Sequence, residues 1–242
     1  MNKALEQLRL QCCEWGLELR DSELRLLDLY AGLLADYPLA NVIGVRDTEK
    51  ILLEHLLDSL SCLTVEHLRS ANSAVDIGTG GGLPGVPLSI VCPNLQVTLL
   101  EATKKKVNFL GHVKEELQLS NLKILHARAE EVGRIPAFRE EFEVATARAL
   151  AELVVVLEYC APLVREGGHL ISMKSRLEDA ELSAGLKVCS QLGIELHEVR
   201  QVHYRPSLPQ KERSLIVLAK THTTPNSFPR RTGLAKKRPL SL

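Results

Sequence analysis

AVDIGTGGGLPGVPLSIVCPNLQVTLLEAT, residues 74–103, sets five glycines and three prolines inside an otherwise apolar run. The stretch reads as a strand (74–78), a turn nearly free of side chains, a helix from Pro84 to Cys92, and a second strand (96–100). Glycines at a strand-to-helix turn allow positive φ and let a ligand approach the backbone. In open α/β sheets ligands lie at the carboxyl ends of the strands, beside the point where strand order reverses. A phosphate-cradling loop needs a lysine in register after the glycines, and none is present. Gly80, Gly82 and Gly85 fit a dinucleotide GxGxxG spacing formally, with Pro84 inside it. Asp76-Ile77-Gly78-Thr79-Gly80-Gly81-Gly82 matches the acid-x-Gly-x-Gly-x-Gly pattern of S-adenosylmethionine sites without a gap. An acid at the mouth of the first strand can accept from the cofactor's ammonium group or from an ordering water, and it would repel a pyrophosphate.

Working outward, LKILH (122–126), FEVATA (142–147), GGHLISMKS (167–175) and two late segments near 195–202 and 213–219 complete seven strands. Helical stretches separate them at 103–119, 149–164 and about 178–191. The alternation predicts an α/β fold with a mostly parallel seven-stranded sheet and helices on both faces; taken together with the acid-x-Gly-x-Gly-x-Gly run, the expected fold is a Rossmann-like class I methyltransferase. The last two strands, joined by HYRPSLPQKER, should return antiparallel at the sheet edge. Before the sheet, residues 3–60 repeat apolar positions at helical spacing and read as three helices, with a loop from Pro38 to Asp47. The organisation expected is an N-terminal helical extension (1–70), a cofactor-binding domain (71–221) and a basic C-terminal tail (222–242).

Composition narrows the class. The chain has 242 residues, 45% apolar and 25% charged, with zero formal net charge. Those are globular values. No run is long and apolar enough to span a membrane, and the first residues lack a secretory leader pattern, so a cytoplasmic protein is expected. Six scattered cysteines with no CxxC pair read as reduced thiols, and no zinc spacing is visible. The balanced total hides a tail with five cations, Arg230, Arg231, Lys236, Lys237 and Arg238, and no acid from Pro225 onward. Such a segment can order on RNA phosphate or dock on the protein itself.

Glu101 ends the second strand, where a carboxylate can accept from ribose hydroxyls. Ala129 and Glu130 follow the third strand, facing the expected adenine edge. Arg148 ends the fourth strand, placed to hold an acceptor or the cofactor carboxylate, or to pair with Asp76 or Glu101. Lys104–Lys106 oppose the dipole of the helix they open and suit either solvent or RNA. His55 and Asp58 stand at i, i+3 spacing and suggest a local pair. Tyr204 and Phe109 are the candidates for base stacking. No Asp/Asn-Pro-Pro-aromatic motif follows the fourth strand, and Cys92-Pro93 reads as a helix terminus. No acid–base–nucleophile set is found, so no catalytic residue is assigned. A ring nitrogen with its own lone pair needs no base, and alignment alone can then carry the rate.

On these residues the chain resembles the RsmG (GidB) family. The resemblance spans about residues 40–220 and rests on VRDTEKILLEHLLDSL, AVDIGTGGGLPGVPLSIVCP, LLEATKKKVNFL, ARAEE, ARAL and ISMKS. FPRRTGLAKKRPL resembles the tail of one branch. The resemblance implies S-adenosylmethionine-dependent methylation of guanine N7 in 16S ribosomal RNA, with that RNA or the small ribosomal subunit as partner. It also implies cofactor contacts at Gly78, Leu83, Glu101, Ala102, Thr103, Ala129, Glu130 and Arg148. Two other readings stand beside it: an NAD-dependent oxidoreductase, from the GxGxxG spacing, and a non-catalytic RNA-binding assembly factor, from the tail.

Overall fold

In the computed structural model, residues 3–37, 43–208 and 212–241 are described; the first half of the expected 38–47 loop and part of the 203–213 connection lie outside them. The N-terminal layer comprises α1 (Lys3–Glu14), α2 (Asp21–Asp36), α3 (Thr48–Lys50), a π-wound turn (Ile51–Leu56), α4 (Leu57–Leu60), a 3-10 turn (Ser61–Thr64) and α5 (Glu66–Arg69). The third expected helix is therefore one winding with a wide turn in it: the N–H of Leu57 reaches back to the Leu52 carbonyl, five residues earlier. Asp47 caps its start by accepting from the N–H groups of Glu49 and Lys50, as short acceptor side chains do.

The sheet follows with β1 (Ser73–Ile77), α6 (Gly85–Val91), β2 (Gln96–Glu101), α7 (Lys104–Glu116), β3 (Leu122–His126), α8 (Ala129–Val132), β4 (Phe142–Arg148), α9 (Leu153–Cys160), β5 (Val164–Lys174), α10 (Asp179–Leu192), β6 (Ile194–Gln201), β7 (Ser214–Lys220) and α11 (Leu234–Lys237). Strand order is β3-β2-β1-β4-β5-β7-β6. The first five strands are parallel, and β7 inserts antiparallel between β5 and β6. The return is thus antiparallel at the sheet edge as expected, with β6 outermost.

Buried apolar residues fall into two clusters, one on each face of the sheet. One joins α1, α2 and the 51–65 region to α6, α7 and the inward side chains of β1 and β2. The other joins α9, α10 and α11 to the opposite face. Fully burying an aliphatic side chain contributes about 1.5–3 kcal/mol, so the helical extension is welded to the sheet through one continuous core. Phe109 lies wholly inside that core and is not available as a stacking platform, whereas Tyr204 is half-buried and packs edge-on against Trp15. Buried Tyr30 of α2 donates to the Gly81 carbonyl at 2.5 Å, so the extension braces the glycine turn.

The basic tail is docked. Glu158, buried on α9, accepts from the Arg230 backbone at 2.9 Å and from its guanidinium at 2.6–3.1 Å. Lys220, with its amine fully buried, reaches Glu140, Thr224 and the carbonyls of Ala161 and Val164. Arg139 donates to the carbonyls of Thr224 and Phe228. Among the described residues no helix is long and apolar enough to cross a membrane.

Candidate active site

The carboxyl ends of β1 to β5 share one edge, because Asp76 pairs with Leu99 and Thr146, and Arg148 with Met173. Two cavities open on that edge. The first, about 400 Å³, spans β1, β2 and β3 and includes Gly78, Glu101, Ala102, Thr103, Ala129 and Glu130 in its wall. The second, about 430 Å³, lies over β4 and β5 and takes Glu54, His55, Asp58, Arg148, Lys174 and Arg213. Both volumes are within the range of small-molecule sites. Ala149 lines both cavities. Its φ is +51°, a conformation that strains a residue with a Cβ and gathers at functional sites.

Backbone geometry builds the first cavity. Gly78 has φ +66°, and a Cβ there would overlap the Leu150 side chain. Its N–H bonds to the Leu100 carbonyl at 2.8 Å, tying the turn to β2. Glu101 bridges the turn and the next helix, accepting from Gly80 N–H at 3.0 Å and Thr103 N–H at 2.7 Å. Each of its oxygens keeps a second lone pair for a ligand hydroxyl. Glu130 accepts from the Gly233 N–H at 2.9 Å, so the tail closes this wall. Tyr159 lies against the same carboxylate, and burial first, then that charge, raises its pKa.

The structure gives five sequence-derived candidates surroundings that their spacing did not show. Asp76 does not face the cavity. It is buried and accepts from Thr79 Oγ1 at 2.5 Å, Gly85 N–H at 2.9 Å and Thr146 Oγ1 at 3.0 Å. Burial raises its pKa, against those hydrogen bonds; it is the anchor of the turn, and a Cβ on Gly85 would run into Leu99. Leu83 is also buried, with its N–H bonded to the Thr79 carbonyl, outside the cavity wall. Arg148 belongs to the second cavity. Its partner is neither Asp76 nor Glu101 but Asp58, at 2.9 Å, with the His55 carbonyl at 3.2 Å. Asp58 also accepts from Arg213 at 2.6 Å, so the suggested local link between His55 and Asp58 gives way to a three-residue ion cluster. Arg230, expected as an RNA contact, is occupied by Glu158, leaving Arg231, Lys236, Lys237 and Arg238 exposed.

Ala127, Arg128, Leu150, Tyr159 and Gly233 of this cavity escaped sequence reasoning, and Lys106 and Lys236 were read only as solvent- or RNA-facing. Lys106 carried a signal, its unfavourable place in the first turn of α7. Its amine would stand 3.9 Å from a Cβ on Gly80, over the glycine turn, whereas Lys104 and Lys105 are exposed. Cys92 closes α6 and burial pushes its thiol up to about 11, which removes it as a thiolate nucleophile.

The strand order, the glycine turn and the acid on β2 define a class I S-adenosylmethionine-dependent methyltransferase fold. Two solved structures share it: a SAM-dependent methyltransferase from Aquifex aeolicus (TM-score 0.52, 19% identity, 71% of this chain and 93% of that one), and a mutant 16S rRNA (adenine(1408)-N(1))-methyltransferase from Catenulisporales acidiphilia (TM-score 0.53, 15% identity, 66% and 90%). The GidB profile, rRNA small subunit methyltransferase G, matches residues 23–215. Relatives bearing that name include one from Rubrobacter xylanophilus, 45% identical over 98% of this chain and 91% of its own length, and one from Carboxydothermus hydrogenoformans, 42% identical over 94% and 96%. The chain belongs to the GidB family, and it is an enzyme of the methyltransferase class. That membership disfavours the oxidoreductase and non-catalytic readings.

Proposed function

We propose that this chain methylates guanine N7 in 16S ribosomal RNA, acting in the cytoplasm on the small ribosomal subunit or its RNA. The observation that carries the reading is the pair of cavities meeting at Ala149, one suited to the methyl donor and the other to a base. The donor cavity fits S-adenosylmethionine by its chemistry. Gly78 and Gly80 leave backbone exposed, Glu101 offers lone pairs to hydroxyls, Ala129 and Glu130 stand where an adenine edge would lie, and Lys106 can face a carboxylate. When bound there, the cofactor supplies an electrophilic methyl group on a sulfonium.

The chain's own residues then have two tasks. Arg148 and Arg213, fixed by Asp58, present donors suited to a carbonyl oxygen such as guanine O6, orienting the base. Glu54 in the same wall can offset the positive charge that N7 methylation leaves on the ring. The N7 lone pair carries no proton, so no general base is required, and the rate rests on holding two reactants in line. The exposed tail cations and Lys104–Lys105 supply phosphate contacts whose strength should fall with salt.

Transfer of tritium from labelled cofactor into small subunits lacking this methyl group, followed by mapping of the base, tests the reading. Label at guanine N7, abolished by Glu101→Ala and Arg148→Ala, is expected. Label on another base or position, or none, overturns it.

A further inference from the structure

At the far end of the sheet from both cavities, three histidines from three elements meet. His169 lies in β5 opposite Val144, toward the amino-terminal side of β4. His197 lies in β6 where its register with β7 shifts between Leu196 and Glu198, an irregularity of the kind that re-aims a side chain. Between the two strands runs β7, whose Ala219 pairs with His169 on one side and Glu195 on the other. A methyl group at that position leaves room for two imidazoles to meet across it. His67 arrives from α5, and Arg200 of β6 donates to the Thr64 carbonyl just before that helix, holding the two elements together. His67 stacks on His169 with ring centroids 3.6 Å apart, and His197 stands edge-on to both at 5.1 and 5.6 Å.

We infer that His67, His169 and His197 form a binding site for one divalent cation of the imidazole-preferring class, such as Zn2+ or Co2+. One ring nitrogen from each lies within 4.8 Å of the other two. Tetrahedral coordination at metal–nitrogen lengths of ~2.0–2.1 Å sets ligand nitrogens about 3.4 Å apart; because the metal lies in the plane of each imidazole, the His67 ring, stacked 11° from parallel on His169, turns out of that stack on loading. Imidazole nitrogens suit zinc, copper, nickel and cobalt over calcium or magnesium. Ligation uses the neutral imidazole ring. The exposed face at His197 leaves the fourth position to water.

The place of the site assigns its role. It joins the helical extension, through α5, to the middle and the edge of the sheet. It lies away from the strand ends where the reaction is proposed, so the cation cross-links rather than catalyses. No short spacing advertises it, because its ligands come from separate parts of the chain.

The test uses the full, untagged chain, stripped with chelator and titrated with Co2+ alone and Zn2+ alone. We expect one equivalent bound, with visible d–d absorption of four-coordinate intensity and no thiolate charge-transfer band. Zn2+ should raise Tm by several degrees at 100-fold excess over Kd. His197→Gln, at an exposed position, should fold normally, weaken binding at least tenfold and lose the thermal shift, and His67→Gln should behave alike. Methyl transfer by stripped and loaded protein should agree within about twofold. Absence of saturable binding, equal binding by both variants, or a thiolate band from Cys13 or Cys92 would each overturn the inference.

Discussion

The two cavities on the strand ends are built by different means. The donor cavity is shaped by main chain: a turn held open by Gly78, pinned from beneath by Asp76 and from the side by Glu101. The second cavity is shaped by charge, with Asp58 clamping Arg148 and Arg213, and Lys174 bound to Glu181 at 2.6 Å. Backbone geometry is local, so its determinants sit within a few residues of one another. Ion clusters join distant parts of the chain: Arg148 and Arg213 lie 90 and 155 residues from Asp58. A main-chain cavity should therefore fail by losing its ligand, and an ion-clustered one by losing stability.

The largest effect should come from Asp58→Ala, which leaves two largely buried guanidinium groups facing each other without a counter-charge. A loss of about 3–5 kcal/mol is expected, measurable by urea unfolding. A cost below about 1 kcal/mol would mean that the cluster is decoration and would break the contrast. Next comes Gly78→Val. It forces a β-branched residue to positive φ and drives its side chain into Leu150. Activity should fall about 100-fold, as for a small misplacement of bound reactants, with cofactor affinity down in calorimetry and the fold retained. A variant that kept its affinity would show that the turn is not the grip.

Glu158→Gln should cost about 2 kcal/mol by weakening the hold on Arg230. The tail also gives Gly233 and Lys236 to the donor cavity, so cofactor affinity should drop several-fold, and proteolysis near Arg230 and Arg231 should quicken. Unchanged affinity would detach the tail from the site. The smallest effect is in pH. The His169 pKa lies at about 4 in the folded metal-free chain, below its ordinary value near 6.5. On acidification the unfolded chain takes up this proton first, so stability declines from pH 6.5 to 4 and the loss is complete below that. The ring is half exposed, and screening leaves roughly 1 kcal/mol. His169→Gln should flatten this part of the stability profile; an unaltered slope would assign it to other groups.

The sequence disclosed what is local. Strand period and the glycine run placed β3 at 122–126 as observed and β1, β2 and β4 within a residue of their ends. The helix-to-strand alternation gave a mostly parallel sheet, and Glu101 was legible because it ends a strand. Asp76 was misread because spacing puts an acid at the mouth of β1 without saying which way it turns; Thr79, Gly85 and Thr146 turn it inward. Arg148 was visible, but its partner Asp58 was not, since nothing in either segment encodes their meeting. The tail's composition suited RNA and self-docking equally, and only the buried carboxylates of Glu158 and Glu130 resolve which cations are engaged. The three histidines carried no spacing signal at all.

The wide turn at Ile51–Leu56 has a consequence for how this enzyme can vary. A turn with five-residue hydrogen bonding holds one residue more than regular winding accommodates, and each residue advances an α-helix by about 100°. In regular winding the extra residue would swing everything downstream by more than a quarter-turn; the wide turn absorbs it, so Asp58 keeps its aim at both arginines. Lineages that lack the surplus residue can therefore wind this stretch evenly and still keep the Asp58 clamp.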